Sequence, residues 1–187
     1  IAVVDFENHT GDASYDRLKR GLSESLMTKL ARRPELFMVE RGQLDKAIKE
    51  LGFSQSMYAS SDSAKEIGRM AGADYIVLGD IVKAGNRFEI NVRMIDVETT
   101  RVLVSNSYGF KNEDDTLLVI DYLSLLVPQK LGLYVSDREL EMARKRLEEN
   151  SNVATNADMS WLWWTLGGVA IIGAGAAIAA IALGGPR

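Results

Sequence analysis

The sequence predicts an α/β domain with a mixed sheet, its elements running β-α-β-α-α before antiparallel hairpins, flanked by helices and followed by a C-terminal transmembrane helix. Three observations carry this expectation. Short apolar runs alternate with helical stripes as far as Gly72, two later strands alternate apolar and polar residues, and the 23 residues from Trp161 to Leu183 contain no charge. The remaining composition suits one ordinary globular domain: 187 residues, 47% hydrophobic, with 26 acidic and 22 basic side chains and a net charge of −4.

Ile1-Ala2-Val3-Val4-Asp5-Phe6 reads as a buried strand, and Glu7 to Asp12 as the turn that ends it. Leu18, Leu22, Leu26 and Leu30 then fall on one face of a helix that starts near Tyr15 and stops at Pro34. Leu36-Phe37-Met38-Val39 supplies a second strand. Leu44, Ala47, Ile48 and Leu51 form the stripe of a second helix, with Gly52 as its C-terminal cap. A polar loop through Ser54, Gln55, Ser60 and Ser61 leads to a third helix, read as capped by Ser63 with Glu66, packed through Ala64, Ile67 and Ala71, and stopped by Gly72.

Ala73 to Val82 is mostly apolar, the mark of a central strand covered on both faces. Ala84-Gly85-Asn86 turns it. Phe88, Ile90, Val92 and Met94 alternate with Glu89, Asn91 and Arg93, and Val102 to Phe110 repeats the strand signal after a turn at Glu98-Thr99-Thr100. Leu117 to Val127 makes a helix too apolar for a lone surface element, ending at Pro128. It packs on the sheet or on another subunit, and Leu118 and Leu125 mark the candidate oligomer face.

From these signals the chain divides into an α/β domain at 1–135, a charged helix at 136–149, a linker at 150–160 and a transmembrane helix at 161–184. Ser136 with Glu139 gives the charged helix a capping box, and Leu140, Ala143 and Leu147 give it a narrow docking stripe. The uncharged run spans roughly 34 Å as a helix, enough for a hydrocarbon core of about 30 Å. Trp161, Trp163 and Trp164 at its start favour the headgroup interface. Gly173-Ala174-Gly175 is no dinucleotide fingerprint, because no strand precedes it and no acidic residue follows. Gly173 with Ala177, and Ala170 with Ala174, instead allow close helix approach in the membrane.

The composition also excludes chemistry. The basic residues form no stripe, so nucleic acid is not an expected partner. Without cysteine and with one histidine, the chain can build neither a disulfide framework, a thiolate nucleophile nor a multi-histidine metal site. Asp5, at the end of the first strand, is the best catalytic candidate, with Glu7 and Asp12 near it, but the same residues suit a strand-to-helix turn in which Thr10, Asp12 or Ser14 caps the helix. Asp74, Asp80 and Asp96 share that ambiguity, and His9 reads as a solvated loop residue. No phosphate loop or nucleophile elbow is present, so neither catalysis nor a cofactor is expected. Asp5, Asn8 and Asp80 remain as a candidate ligand pocket. The sequence starts at Ile1 rather than Met, so any export signal or lipid-bearing cysteine would precede it.

Ile1 to Asn8 with Gly11-Asp12, Gly21-Leu22-Ser23-Glu24, Phe37 to Arg41 with Leu44, Gly72 to Gly79, and Val92 to Thr99 together resemble the CsgG family of curli-secretion proteins. They also resemble the related TolB N-terminal-like and FlgO-type envelope proteins. The resemblance implies a periplasmic or outer-membrane-associated bacterial protein, ring-forming and without enzymatic activity. Two departures accompany it. The segments where channel-forming members carry long membrane hairpins are here only Ala84-Gly85-Asn86 and Lys111 to Asp115, too short for a membrane strand of about 9 to 11 residues. Thr100 also stands where the family has a turn glycine.

The expected function is therefore a non-enzymatic, membrane-anchored envelope scaffold or adaptor. It would form a homo-oligomer and work with other envelope or secretion proteins in curli-type surface assembly. A small-ligand sensor or regulatory domain is the alternative. Arg144, Lys145 and Arg146 weakly favour a cytoplasmic domain by the positive-inside rule, whereas the resemblance favours the periplasm; the periplasm is expected, because a folded helix holds those charges at the edge of the rule's range.

Overall fold

The computed structural model describes residues 1–52, 60–85, 87–110 and 112–151. The chain divides into two units, Ile1–Asn156 and Ala157–Arg187, and every described residue belongs to the first. Its elements are β1 (Ala2–Val3), β2 (Glu7–His9), α1 (Asp16–Leu30), α2 (Arg41–Leu51), α3 (Ser61–Ala71), β3 (Tyr75–Ala84), β4 (Arg87–Asp96), β5 (Val102–Phe110), α4 (Thr116–Lys130) and α5 (Asp137–Ser151). The expected membrane span at 161–184, with Trp161, Trp163, Trp164 and Gly173, lies outside the described residues. Among those residues no helix is long and apolar enough to cross a membrane.

One mixed sheet runs in the order β1-β3-β4-β5, with β2 pairing β3 on the same side as β1. β1 and β2 are parallel to β3, and β3-β4 and β4-β5 are antiparallel. The strongly apolar β3 is thus central, as its composition requires. Val77 and Ile81 face a core shared with α1, α4 and α5, while Ile76 and Leu78 face a second core under α2 and α3. That is a three-layer arrangement, helices on both faces of the sheet.

The two short strands are one interrupted line. Ala2 pairs Ile76 and Glu7 pairs Asp80, so five residues on one side span four on the other and the extra residue bulges out between Val3 and Glu7. The bulge turns Phe6 inward, fully buried, over Gly79. A Cβ at Gly79 would lie 2.7 Å from two atoms of that ring.

Five expectations are corrected. Glu7 to His9 is strand rather than turn, because the long β3 offers Asp80 to Val82 as partners beyond the bulge. Leu36 to Val39 forms no strand, since the two-residue β1 leaves little ladder to join: Val39 N–H donates to the Ile1 carbonyl at 2.8 Å and the Ile1 amine to the Phe37 carbonyl at 2.6 Å, while Phe37 itself is 85% exposed. The order therefore begins β-β-α-α-α, not β-α-β-α-α. The cap of α3 is Ser60, whose hydroxyl accepts from the Ser63 N–H at 3.1 Å, one turn before the cap read from Ser63 and Glu66. Pro128 does not end α4, which continues to Lys130, because a proline in the last turn removes only one backbone donor there.

The apolar excess of α4 is largely spent inside the domain. Val119, Ile120, Leu123 and Val127 are fully buried in the core shared with α1 and the sheet, and the α5 stripe adds Leu147 and Leu140. Leu118 packs partly on that core, Leu125 is half-buried, and Leu117 stays 54% exposed. Lys29 to Asp121 at 2.7 Å ties α1 to α4.

At the β4–β5 turn Thr100 has φ of 59°, the one non-glycine left-handed residue among those described. A β-branched side chain is strained there. Thr100→Gly is expected to stabilise the domain by roughly 0.5–1 kcal/mol, the released strain exceeding the entropic cost of glycine; a higher denaturant midpoint at unchanged slope is the check.

Candidate functional site

The strand-to-helix region between β1 and α1 places three polar groupings. The first is a clasp. Asp5, just past β1, accepts from Arg41 at the start of α2 and from Ser23 in α1, each at 2.8 Å, and Arg41 also donates to Ser23 Oγ at 2.8 Å. Ser23 is fully buried, while the Arg41 and Asp5 side chains are 14% and 33% exposed. The carboxylate that the sequence offers as the best catalytic candidate is thus held by a guanidinium and a hydroxyl, and it joins three elements. Its chemistry is that of a charge-assisted structural link. Arg41 Nε is the one buried side-chain polar atom without a partner among the described residues.

The second grouping is the turn after β2. Asn8 Nδ2 donates to the Asp12 carbonyl at 2.9 Å and to Asp16 Oδ1 at 2.8 Å, and Asn8 Oδ1 accepts from Thr10 N–H at 3.0 Å and from Thr10 Oγ1 at 2.6 Å. Asp12 in turn accepts from Ser14 N–H at 2.9 Å, and this bond holds its carboxyl below the usual range. Asn8 and Asp12 act as backbone surrogates that shape the entry to α1, the capping role weighed against catalysis.

The third grouping lies on the opposite face of the sheet. Glu7 pairs Asp80 and Asp80 pairs Asn91 across three adjacent strands, so their side chains share one face, and Asn8 points the other way. His9 Nε2 lies 2.8 Å from Glu7 Oε2, His9 Nδ1 lies 4.0 Å from Asp80 Oδ1, and Asn91 Nδ2 donates to Asp80 Oδ1 at 2.8 Å. Burial pushes the Glu7 carboxyl above its ordinary value, with the neighbouring His9 opposing the shift. A raised carboxyl pKa means that ionised Glu7 costs stability at neutral pH, a cost relieved as pH falls from its folded value toward about 4.5.

The structure therefore distributes the candidate pocket over three settings: Asp5 in the clasp, Asn8 in the turn, and Asp80 beside Glu7 and His9 across the sheet. His9, read as solvated, is half-exposed and paired. Its partner was hidden because Glu7 and His9 share a face only once the segment is a strand. Ser23 and Arg41 were visible in the sequence only as parts of the quoted motifs. Among the described residues no group of three or more His, Asp or Glu side chains is arranged to hold a metal ion. Asp74 and Asp96 frame the ends of β3 and β4; Asp96 accepts from Thr99 N–H at 2.7 Å, which lowers its pKa, and it too serves a turn.

Residues 1–89 match the family of the curli production assembly/transport component CsgG. Over that stretch the chain is similar to the CsgG family. The matched stretch holds the clasp, the turn and the Glu7–His9–Asp80 group, and leaves Asn91 and everything after it outside. The chain is also similar to the protein named "Putative adenylate cyclase 3" of Rhizobium meliloti (strain 1021), at 25% identity over 146 residues covering 78% of this chain. The chain spans about a quarter of that relative, 23% of its length. Among solved structures it is similar to the LpoB C-terminal domain from Salmonella enterica, with a TM-score of 0.49 and 22% identity over 59% of this chain and 81% of that one. The lipoprotein GNA1162 from Neisseria meningitidis gives a TM-score of 0.49 at 16% identity, covering 72% of this chain and 97% of that one. TolB from Acinetobacter baumannii gives 0.47 at 19% identity, over 70% and 27%.

Proposed function

We propose that this chain is a non-enzymatic, membrane-anchored scaffold or adaptor of the bacterial envelope that serves the assembly or secretion of surface structures. The observation that carries the reading is the CsgG match over residues 1–89, from β1 to within β4. The proposal places the domain in the periplasm, held by the uncharged run at 161–184 through the linker at 150–160, as a homo-oligomer working with other envelope or secretion proteins. Association with the outer membrane is one form of that arrangement. Leu118 and Leu125 are one candidate contact between copies.

The connections in the fold argue against a secretion channel. β3 ends at Ala84 and β4 begins at Arg87, and β5 ends at Phe110 only six residues before α4 begins at Thr116. A membrane strand needs about 9 to 11 residues, so neither connection can contribute a hairpin to a barrel. Purified protein in planar bilayers is expected to show no stepwise conductance. Reproducible discrete channels would restore the channel reading.

A second reading, a regulatory domain of a signalling protein, is favoured by the likeness to the Rhizobium meliloti protein. The groups a ligand would meet are Glu7, His9, Asp80 and Asn91 on one face of the sheet. A saturable shift of the Glu7 or His9 resonances on addition of a small polar ligand would support this reading over the scaffold.

A further inference from the structure

We propose that the exposed edge of β5 is a self-association surface on which a second copy of this chain pairs antiparallel, strand against strand. β5 has β4 as its only strand neighbour among the described residues. Its nine residues present an open edge of roughly 30 Å. Free edges are ordinarily guarded by charges, proline or a covering element. From Val102 to Phe110 β5 has no charge and no proline, whereas β4, protected between two strands, carries Arg87, Glu89 and Arg93. The charge distribution is the reverse of what a guarded edge needs. At the opposite edge of the sheet, the segment after α1 bonds along Ile1.

The side chains select the occupant. Ser105, Ser107 and Gly109 lie opposite Arg93, Asn91 and Glu89 and share their face of the sheet, while Val104, Tyr108 and Phe110 are buried under the helices on the other. Binding a foreign strand specifically requires pockets that read its alternate side chains, and a row of Ser, Ser and Gly offers none. The same row fits itself. A two-fold axis near Asn106 sets Ser105 against the second copy's Ser107, and Val104 against the second copy's Tyr108. Small residues then meet small, and apolar meet apolar. Antiparallel pairing also brings the exposed Arg101 at one end of the strand toward the acidic turn Glu113–Asp115 at the other end of the second copy. Such an isologous contact closes at two copies and leaves no unpaired β5 edge. The inference goes beyond the envelope reading and does not depend on it, because it concerns the sheet alone.

The chain has no native cysteine, so single substitutions report without background. In the full chain in mild detergent, Ser105→Cys, Asn106→Cys and Ser107→Cys are oxidised in parallel with Ser63→Cys on α3 as a control. At least one β5 variant is expected to form a disulfide-linked dimer that the control does not. Ser105→Lys combined with Ser107→Lys, which sets like charges across the axis, is expected to reduce the mass from two copies to one while the domain still melts cooperatively. Absence of cross-linking at all three positions would overturn the proposal, as would an unchanged mass in the lysine variant. Loss of the dimer on Leu118→Glu alone, with no β5 cross-link, would place the contact on α4 and overturn it as well.

Discussion

Gly79→Val is expected to destabilise the α/β domain by about 1–3 kcal/mol through overpacking, and Phe6→Ala by about 3–5 kcal/mol through a cavity. The two effects come from one contact. The bulge between β1 and β2 drives the Phe6 ring into the space above Gly79, where a Cβ would sit 2.7 Å from it. The ring is fully buried and cannot swing into solvent. In the Phe6→Ala background the valine has room, so Gly79→Val should cost less there than in the unmutated protein, giving a coupling above about 0.5 kcal/mol. All three tryptophans lie between residues 161 and 164, so far-ultraviolet circular dichroism in urea, not tryptophan fluorescence, is the appropriate measurement. Additive midpoint shifts in the double variant would mean that the Phe6 ring does not occupy that space.

Deleting residues 161–187 is expected to move essentially all of the protein from the membrane fraction to the soluble one, while urea unfolding of the α/β domain keeps its midpoint. The expectation follows from the division of the chain after Asn156 and from the core that the described residues before it form. Among the described residues the last in that core is Leu147, in α5. A truncated protein that still sediments with membranes would locate the attachment elsewhere. A truncated protein that no longer unfolds cooperatively would show that the C-terminal residues support the fold.

The long elements were legible because their patterns are local. The four-residue spacing from Leu18 to Leu30, the alternation from Phe88 to Met94, and the glycine caps Gly52 and Gly72 each state their structure within a dozen residues. The short ones were not. Leu36 to Val39 has the composition of a strand, but a strand is a pairing, and whether β1 leaves an edge to pair with is settled elsewhere in the chain. Glu7 to His9 has the composition of a turn and becomes strand because β3 is long enough to reach it.

The candidate site failed to be legible for the same reason. Asp5 was found, but its partner Ser23 lies 18 residues on and Arg41 a further 18 beyond Ser23, and no spacing rule links them. Glu7 and His9 are two apart and would have read as neighbours had the strand been recognised. Thr100 was singled out through the resemblance, and its positive φ supplies the physical reason that a glycine suits that turn.

The central proposal is that the α/β domain, similar to the CsgG family over residues 1–89, stands in the bacterial envelope, outside the cytoplasm, on a membrane anchor that follows it. Its most direct test uses a cysteine introduced at Ser151, the end of α5, in a chain that otherwise has none. Intact cells are treated with a thiol reagent that crosses the outer but not the inner membrane. The account predicts that Ser151→Cys is labelled without breaching the inner membrane; protection until that membrane is opened would place the domain in the cytoplasm and contradict it.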